Sequence, residues 1–336
     1  MKYNYCGESG VLLPEVSLGF WHNFGVDTPY ERSRDIALYA FENGITHFDL
    51  ANNYGPNPGD AELRLGRLMK EDLKTHRDEL FISTKAAYDM WDGPYGMWAS
   101  RKHLMASLDQ SLNRMGLDYV DLFYCHRYDP QTPLIETLQT LVDVVRQGKA
   151  LYVGISRWPL QAFRYAVHYL AERDVPVLIY QGKLNVLERE PIEEGILDDL
   201  STYQMPSNEE YVWDRNEHYT PRPGFISFSP LAQGLLTDRY LNGIPEGSRM
   251  TKEHFLKSSV LTPELLGRLN RLNELAAQRG ETLAQMSLAW ILHFDTVTSV
   301  LVGASSVSQL QNNLRCIDSA PFSAEELSLI EDILQN

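Results

Sequence analysis

Four side chains that could share one carbonyl reaction stand at or just after three apolar runs of the chain. Asp49 and Tyr54 lie in HFDLANNYG. Lys85 ends LFISTK, and His126 ends VDLFYCH. In a parallel β/α protein the carboxyl ends of the strands meet at one rim, where active sites lie. We therefore expect a carboxylate, a phenol, an ammonium and an imidazole to converge there.

This combination is suited to general acid catalysis by the phenol. A free tyrosine has a pKa of about 10, which makes it a weak proton donor near neutral pH. The Lys85 ammonium should stabilise the phenolate and lower the pKa of Tyr54, while Asp49 keeps that ammonium charged and aimed. His126 could bind the substrate oxygen or relay a proton. Each residue alone is more often a cap, a solvated charge or a packing side chain, so only the set predicts a site.

Length and composition bound the class of protein. The chain has 336 residues, of which 43% are hydrophobic, and a formal net charge of −15. The acidic balance argues against binding to nucleic acid or to an anionic membrane, although it leaves room for a local basic pocket. Three cysteines without a CxxC pair predict a reducing, cytoplasmic compartment. No signal peptide and no run of about 18 apolar residues is present, so no membrane span is predicted.

Eight short apolar runs alternate with segments of helical period, which predicts a (β/α)8 TIM barrel as a single domain over residues 1–336. The predicted strands are 16–20, 47–51, 80–85, 120–126, 151–156, 175–181, 225–230 and 299–304. The predicted helices are 31–43, 60–73, 101–116, 133–147, 158–173, 191–203, 263–294 and 306–314. The opening residues predict an N-terminal hairpin that closes the bottom of the barrel. A capping box of Ser323 and Glu326 predicts an extra C-terminal helix.

Two segments are longer than ordinary barrel loops. Residues 86–101 follow the Lys85 strand and belong to the catalytic face. This segment contains four aromatic residues, Tyr88, Trp91, Tyr95 and Trp98. They either wall a substrate pocket or pack the loop onto the barrel. Residues 201–224 precede a strand and are expected on the opposite face, where an oligomer contact or a disordered excursion is favoured over catalysis. A homo-oligomer therefore remains open.

Motifs of several common sites are absent from the sequence. No G-x-G-x-x-G, P-loop, H-E-x-x-H or G-x-S-x-G motif occurs, which leaves a Rossmann domain, an NTPase and an α/β-hydrolase without support. The nine histidines are scattered, so no metal site is predicted. We interpret three of them as core or surface residues, namely His22, His47 and His103.

The motifs, taken in order, resemble the aldo-keto reductase superfamily over essentially the whole chain. The segments that carry the resemblance are FDLANNYG, STK, FYCH, GIS and SPLAQGLL. Longer segments look more specifically like L-glyceraldehyde 3-phosphate reductases, among them THFDLANNYGPNPG and SLDQSLNRMGLDYVDLFYCHR. The same branch of the superfamily contains the β subunits of voltage-gated potassium channels.

The resemblance implies a barrel that binds NADP(H) and a catalytic tetrad of Asp49, Tyr54, Lys85 and His126. It implies hydride transfer to a carbonyl carbon while Tyr54 protonates the oxygen. The channel subunits carry asparagine at the place of His126, so the histidine favours an enzyme. The expected partner is a small carbonyl substrate, with a phosphorylated aldehyde such as L-glyceraldehyde 3-phosphate as the leading candidate. The alternative is a nicotinamide-sensing regulatory subunit that binds a partner protein.

The resemblance also implies which residues bind the cofactor. Those expected at the nicotinamide end are Trp21, Asp49, Ser156, Arg157, Gln181 and Phe228. The loop that follows the pyrophosphate would use Ser229, Leu231, Gln233 and Gly234, and the phosphates would contact Arg239 and Arg249. The last loop and its helix would contribute Gly303, Ser305, Gln309, Asn312 and Asn313. Other interpretations stay open for four of these: Arg239 and Arg249 as solvated charges, Phe228 as core and Ser305 as a helix N-cap.

Overall fold

The protein is described by a computed structural model that covers residues 1–202, 220–246, 248–252 and 256–335. An antiparallel hairpin comes first, formed by β1 (Tyr3–Tyr5) and β2 (Leu12–Pro14). The next strands are β3 (Val16–Gly19), β4 (His47–Asp49), β5 (Phe81–Ala86), β6 (Val120–Cys125), β7 (Ala150–Ser156), β8 (Val177–Lys183), β9 (Gly224–Phe228) and β10 (Val297–Val302). Each of these eight pairs in parallel with the next, and β10 pairs with β3, which closes the barrel. The predicted fold class and all eight predicted strands are confirmed.

Helices follow the strands and cover the outside of the barrel. They are α1 (Tyr30–Glu42), α2 (Asp60–Leu68), α3 (Arg101–Met115), α4 (Leu134–Arg146), α5 (Leu160–Ala171), α6 (Glu190–Glu193), α7 (Ile196–Thr202), α8 (Arg249–Lys252), α9 (Pro263–Gln278), α10 (Leu283–Leu292), α11 (Val307–Leu314) and α12 (Ala324–Gln335). The predicted capping box begins α12, because Ser323 N donates to Glu326 Oε2 at 2.7 Å and Glu326 N to Ser323 Oγ at 3.2 Å. Among the described helices, none has both the length and the apolar character needed to cross a bilayer.

The predicted helix 263–294 is wrong in one respect, because the structure divides it into α9 and α10. Gly280 adopts a φ of +72°, a left-handed conformation that favours glycine and ends a helix. Thr282 then starts α10 through a capping box, in which Gln285 N donates to Thr282 Oγ1 at 3.2 Å and Thr282 N donates to Gln285 Oε1 at 2.9 Å. Helical period runs through both helices, which explains why the break was missed.

The alternation of side chains along the strands divides the core into two parts. The outer part lies between the barrel and its helices and includes Phe48, Ile82 and Phe123. The inner part fills the barrel and joins strand residues to the hairpin, and its members include Cys6, Val11, Leu13, Leu122, Tyr124, Ile179, Ile226 and Leu301. Because hairpin residues pack in this inner cluster, the predicted closure of the barrel by the hairpin is confirmed.

Part of two predictions lies outside the described residues. The long segment 201–224 includes residues 203–219, and its proposed position on the opposite face concerns them. The backbone of Arg249 begins α8, but its side chain is not among the described atoms. The predicted phosphate contact of Arg249 therefore stays a prediction.

Candidate active site

Three neighbouring strands end at the same rim of the barrel and bring the four candidate catalytic side chains together. Asp49 is the last residue of β4, Lys85 is the penultimate residue of β5, and His126 directly follows β6. Backbone bonds hold these ends in register: Asn52 N donates to Lys85 O at 3.0 Å, and His126 N donates to Ala86 O at 3.0 Å. The register therefore sets the relative heights of the three side chains.

Lys85 is fully buried, and three oxygen atoms surround its ammonium group. Nζ forms a salt bridge with the carboxylate of Asp49, which is itself only 2% exposed. Nζ also donates to Leu50 O at 2.6 Å and to Tyr54 OH at 3.4 Å. An ammonium has three hydrogens and no acceptor, so these partners use all of them. The oxygen of Tyr54 is consequently the acceptor in its contact with Lys85.

The second oxygen of Asp49 is held from two other strands. Ser83 Oγ on β5 donates to Asp49 Oδ1 at 2.7 Å, and Gln181 Nε2 on β8 donates to the same oxygen at 3.3 Å. Ser83 was missed by sequence reasoning, although it lies two residues before Lys85 on the same face of β5. That spacing is the signal that could have found it.

The environment of Tyr54 gives its pKa a direction opposite to the expected one. Burial raises the pKa of Tyr54 well above its usual value, and the charge of Asp49 adds to the effect. The expected lowering of this pKa is therefore wrong, because burial disfavours the charged phenolate. Tyr54 therefore keeps its proton at neutral pH. Since its oxygen accepts from Lys85, that proton is free for a different acceptor.

His126 is a neutral imidazole at this site. Burial lowers the pKa of His126 well below its usual value, and the positive charges of Lys85, Arg157 and Arg127 lower it further. In the described part of the chain, no hydrogen-bond partner meets its buried Nδ1. A neutral imidazole can donate one hydrogen bond without carrying charge. The same three cations also create a locally positive environment within an acidic protein.

Aromatic rings lie beside the candidate catalytic residues. The centre of the Tyr54 ring lies 5.7 Å from that of His126, and the centre of the Tyr88 ring lies 4.7 Å from that of His126. Both pairs are in an edge-to-face arrangement. Trp21 lies 6.4 Å from the Tyr54 ring. Tyr88 is thus the residue of the 86–101 loop that lines the site.

The other aromatic residues of this loop pack the loop itself. Trp91 lies 5.0 Å from the ring of His103 in α3, and the carbonyl oxygen of Tyr95 is 2.9 Å from His103 Nδ1. The guanidinium of Arg127 lies 3.9 Å from the centre of the Trp98 ring. Packing of the loop therefore explains these three residues, while a substrate-pocket wall stays a prediction for Tyr88.

The loops after β7 and β9 contain left-handed residues other than glycine. The φ angles are +55° at Arg157, +53° at Ser229 and +58° at Gln233. Such conformations cost about 1–3 kcal/mol each and cluster at ligand-binding sites. Arg157 N also donates to Gln181 O at 3.3 Å, which joins the loop after β7 to the end of β8. These are loops in which cofactor residues are predicted.

Among the residues that the structure describes, several buried polar atoms have no hydrogen-bond partner, and His126 Nδ1 and both polar side-chain atoms of Asn52 are examples. Ser156 Oγ, at the end of β7, and Asn313 Nδ2, in α11, belong to the same group. A buried donor without a partner is destabilising, and native proteins keep few of them. Ser156 and Asn313 stand among the predicted cofactor contacts. The site therefore fits a polar ligand that lies between the ends of β7 and β10.

The last predicted cofactor loop contains one correction. The N-cap of α11 is Ser306, because Gln309 N donates to Ser306 Oγ at 3.2 Å. The interpretation of Ser305 as this N-cap is wrong: its N and Oγ instead donate to Gln309 Oε1 at 2.8 Å and 3.0 Å. Asn312 contacts α10, since its Oδ1 accepts from Gln285 Nε2 at 3.0 Å.

The remaining predicted cofactor residues lie on the same rim. Phe228 ends β9 and packs, half-buried, against the inner barrel cluster. Gly234 N donates to Leu231 O at 2.8 Å and closes the turn after β9. Gly303 directly follows β10 and is exposed, and Arg239 is exposed in a short 3-10 helix.

The barrel and the site define a class of enzyme. A model of the aldo/keto reductase family matches residues 15–205 and 223–335. The chain belongs to this family, as its motifs predict, and is an oxidoreductase. Aldo-keto reductases generally use nicotinamide cofactors and act on small carbonyl substrates.

Similar proteins refine this assignment. The chain is 51% identical to an L-glyceraldehyde 3-phosphate reductase of Escherichia coli O157:H7 over 335 residues, which cover 98% of this chain and 92% of the relative. A protein of the same name from Escherichia coli strain K12 is 50% identical over the same shares of both chains. A probable voltage-gated potassium channel subunit beta of Oryza sativa subsp. japonica is 32% identical over 341 residues, covering 100% of this chain and 97% of the relative.

We expect Asp49→Asn to lower the free energy of unfolding by about 3–5 kcal/mol, because it leaves the Lys85 ammonium buried without an opposing charge. The double variant Asp49→Asn/Lys85→Met should be less destabilised than Asp49→Asn. Asp109→Asn is the matched control, since it breaks a half-exposed bridge to Lys149 and should cost about 1 kcal/mol or less. Urea unfolding measures all three. An Asp49→Asn variant as stable as the control would contradict the buried ion pair.

Proposed function

We propose that this protein is an NADPH-dependent reductase of small aldehydes or ketones, in which Tyr54 is the general acid. The observation that supports it is the contact of Lys85 Nζ with Tyr54 OH at 3.4 Å, made by a fully buried ammonium that is paired with Asp49. Because the phenol oxygen accepts in this contact, its own proton remains to be donated. When bound, the cofactor supplies the hydride that reduces the carbonyl carbon.

The side chains then act on the carbonyl oxygen. As that oxygen gains negative charge, Tyr54 transfers its proton to it. Lys85 stabilises the phenolate that remains, and its 3.4 Å contact can shorten as the negative charge develops. Neutral His126 donates a hydrogen bond toward the same oxygen and orients the substrate. Tyr88 and Trp21 exclude water from the reacting atoms, which strengthens each of these interactions.

The residues that would hold the cofactor follow the rim from β7 to β10. Ser156, Arg157 and Gln181 would bind the carboxamide side of the nicotinamide, with Asp49 and Trp21 beside it and Phe228 against the ring. The phosphates would contact the turn Ser229, Leu231, Gln233 and Gly234 together with Arg239 and Arg249. The adenosine end would contact Gly303, Ser305, Gln309, Asn312 and Asn313. The unpartnered Ser156 Oγ and Asn313 Nδ2 support an extended ligand at both ends of this set.

A phosphorylated three-carbon aldehyde such as L-glyceraldehyde 3-phosphate is the proposed substrate. Two features support it: the name of the relatives that are 50% and 51% identical, and the positive charges of Arg127 and Arg157 around His126. The alternative, a nicotinamide-sensing regulatory subunit, draws on the 32% identity to a channel subunit. Initial rates of NADPH oxidation with phosphorylated and neutral aldehydes separate the two. A purified, folded protein that reduces none of them would favour the regulatory function.

We expect Tyr54→Phe to lower turnover by about 10²–10⁴-fold, the usual contribution of a general acid, while the affinity for the cofactor stays close to the wild-type value. Tyr169→Phe serves as the control, because it removes a phenol that bonds to Gln139 on the outer helices. Stopped-flow reduction and fluorescence titration measure the two quantities. Wild-type turnover in Tyr54→Phe would remove this residue from the mechanism.

We expect NADPH to bind more tightly than NADH, because a guanidinium can donate two charge-assisted hydrogen bonds to a phosphate. Arg239→Ala should weaken NADPH binding more than NADH binding, by about tenfold or more. Arg146→Ala is the control, since Arg146 ends α4 at the opposite face of the barrel. Equal affinity of the wild-type protein for both cofactors, measured by fluorescence titration, would contradict the preference.

A further inference from the structure

An unbroken series of hydrogen bonds crosses the barrel interior below the site. The Oγ atoms of Ser299 and Ser17 lie 2.7 Å apart, and Ser17 Oγ lies 2.9 Å from His47 Nδ1. On the other edge of the ring, His47 Nε2 lies 3.0 Å from Ser83 Oγ, which donates to Asp49 Oδ1 at 2.7 Å. These five residues, which we call the interior chain, are each at most 2% exposed. They come from β10, β3, β4 and β5.

The Asp49 carboxylate at the end of the interior chain fixes the direction in which its hydrogen bonds are donated. An ionised carboxylate only accepts hydrogen bonds, so Ser83 uses its single hydroxyl hydrogen on Asp49. The contact between Ser83 and His47 then requires the hydrogen of the ring. His47 must therefore be protonated on Nε2, and its Nδ1 must accept.

The same assignment of donors and acceptors extends to the far end of the interior chain. Because Nδ1 of His47 accepts, Ser17 donates its hydrogen to the ring. Ser17 must then accept from Ser299, whose alternative acceptor, the carbonyl oxygen of Glu15, is more distant at 3.3 Å. Every hydroxyl and ring hydrogen in the interior chain thus points toward Asp49.

We propose that His47 is a positioning residue for the reductase, acting through Ser83 to orient the Asp49 carboxylate that holds Lys85. This inference rests on the proposed function, because the Lys85 ammonium matters to catalysis only if Tyr54 is the acid. His47 itself contacts no substrate. It fixes which oxygen of Asp49 faces Ser83 and which faces the ammonium.

Two properties of the ring suit it to this role. Its two nitrogens, a donor and an acceptor on different edges, connect Ser17 on β3 to Ser83 on β5 across β4. A ring flip would break both bonds in a place that is fully buried. Burial also lowers the pKa of His47 to about 4, with the charge of Lys85 lowering it and that of Asp49 raising it. The ring therefore stays neutral and keeps one tautomer across the pH range in which enzymes are assayed.

Loss of the ring should affect the rate more than the binding of substrate. Without His47, the Ser83 hydroxyl has no donor to hold it and can rotate away from Asp49. Asp49 Oδ1 then keeps only the longer bond from Gln181, at 3.3 Å. The carboxylate and the ammonium become less well aimed at Tyr54. We expect kcat to fall with little change in KM.

The tautomer can be measured on the wild-type protein, with or without turnover. Long-range ¹H–¹⁵N spectra of histidine-labelled protein distinguish the two neutral tautomers and the cation. The His47 signals are assigned by their absence in His47→Gln. We expect a neutral ring protonated on Nε2 from about pH 5 to pH 9, since its pKa is lowered. An Nδ1-protonated ring, or a ring that becomes charged near pH 6.5, as an unperturbed histidine does, would overturn the proposal.

Steady-state kinetics test the link to catalysis. His47→Phe keeps an aromatic ring but removes both bonds, and it should lower kcat by about tenfold, a size seen for coupled neighbours. His47→Gln offers an amide N–H toward Ser83 and should recover most of that loss. In the Ser83→Ala background, His47→Phe should have no further effect on kcat. Effects that multiply independently would mean that His47 acts only through packing, which would overturn the proposal.

Controls distinguish a loss of positioning from a general loss of stability, and a failure of this proposal from a failure of the proposed function. Ser287→Ala removes an equally buried hydroxyl, which bonds within α10 to Leu283 O at 2.7 Å, and should leave kcat unchanged. If His47→Phe does not fold, Ser83→Ala breaks the same link to Asp49 and should lower kcat with little change in KM, and an unchanged kcat there would overturn the proposal. A wild-type protein that reduces no aldehyde but shows the Nε2-protonated ring would refute the proposed function and the positioning role together, and leave the direction of the interior chain established.

Discussion

The burial of the Lys85 ammonium against Asp49 is the constraint on which the rest of the site depends. Removing two charges from water costs several kcal/mol per ion, and their attraction offsets this only when further hydrogen bonds complete the geometry. Here Leu50 O and Tyr54 OH accept the remaining hydrogen bonds of the ammonium, and side chains on β5 and β8 donate hydrogen bonds to the carboxylate. The closed barrel supplies the carboxylate, the ammonium and their strand partners from strand ends, whereas the phenol comes from the loop after β4.

The position of Tyr54 depends equally on the loop that carries it. Tyr54 O accepts from Ala61 N at 3.1 Å, which ties the loop to the first turn of α2. Gly55 has a φ of +112°, and a Cβ atom there would lie 2.5 Å from the Cβ of Asp60. Only glycine satisfies both the conformation and the space. The phenol therefore meets Lys85 from a loop whose path its own sequence restricts.

Much of this arrangement could be predicted from the sequence, for identifiable reasons. Apolar runs of strand length between helical segments predict eight strands, and polar residues at their carboxyl ends predict the rim that carries Asp49, Lys85 and His126. Boundaries within continuous helical periodicity could not be predicted, as the break at Gly280 demonstrates. The N-cap at Ser306, one residue beyond Ser305, shows the same limit.

The pKa of a buried side chain also could not be predicted from the sequence. The sequence predicts that Lys85 lowers the pKa of Tyr54, and only the structure shows the burial that raises it, with the charge of Asp49 acting in the same direction. His47 gave a similar lesson. A single buried histidine in a sequence suggests packing, and its two serine partners are set by the register of β3 and β5 on either side of β4.

The central claim is that the buried ammonium makes the phenol an effective acid, and one measurement tests it most directly. Lys85→Met replaces the ammonium with an apolar side chain of similar length and leaves Tyr54 in place. Single-turnover reduction of an aldehyde by protein saturated with NADPH isolates the chemical step. We predict a rate lower by about 10²-fold or more, because the Tyr54 phenolate would lose its stabilising charge. A rate equal to that of the wild-type protein would contradict the account.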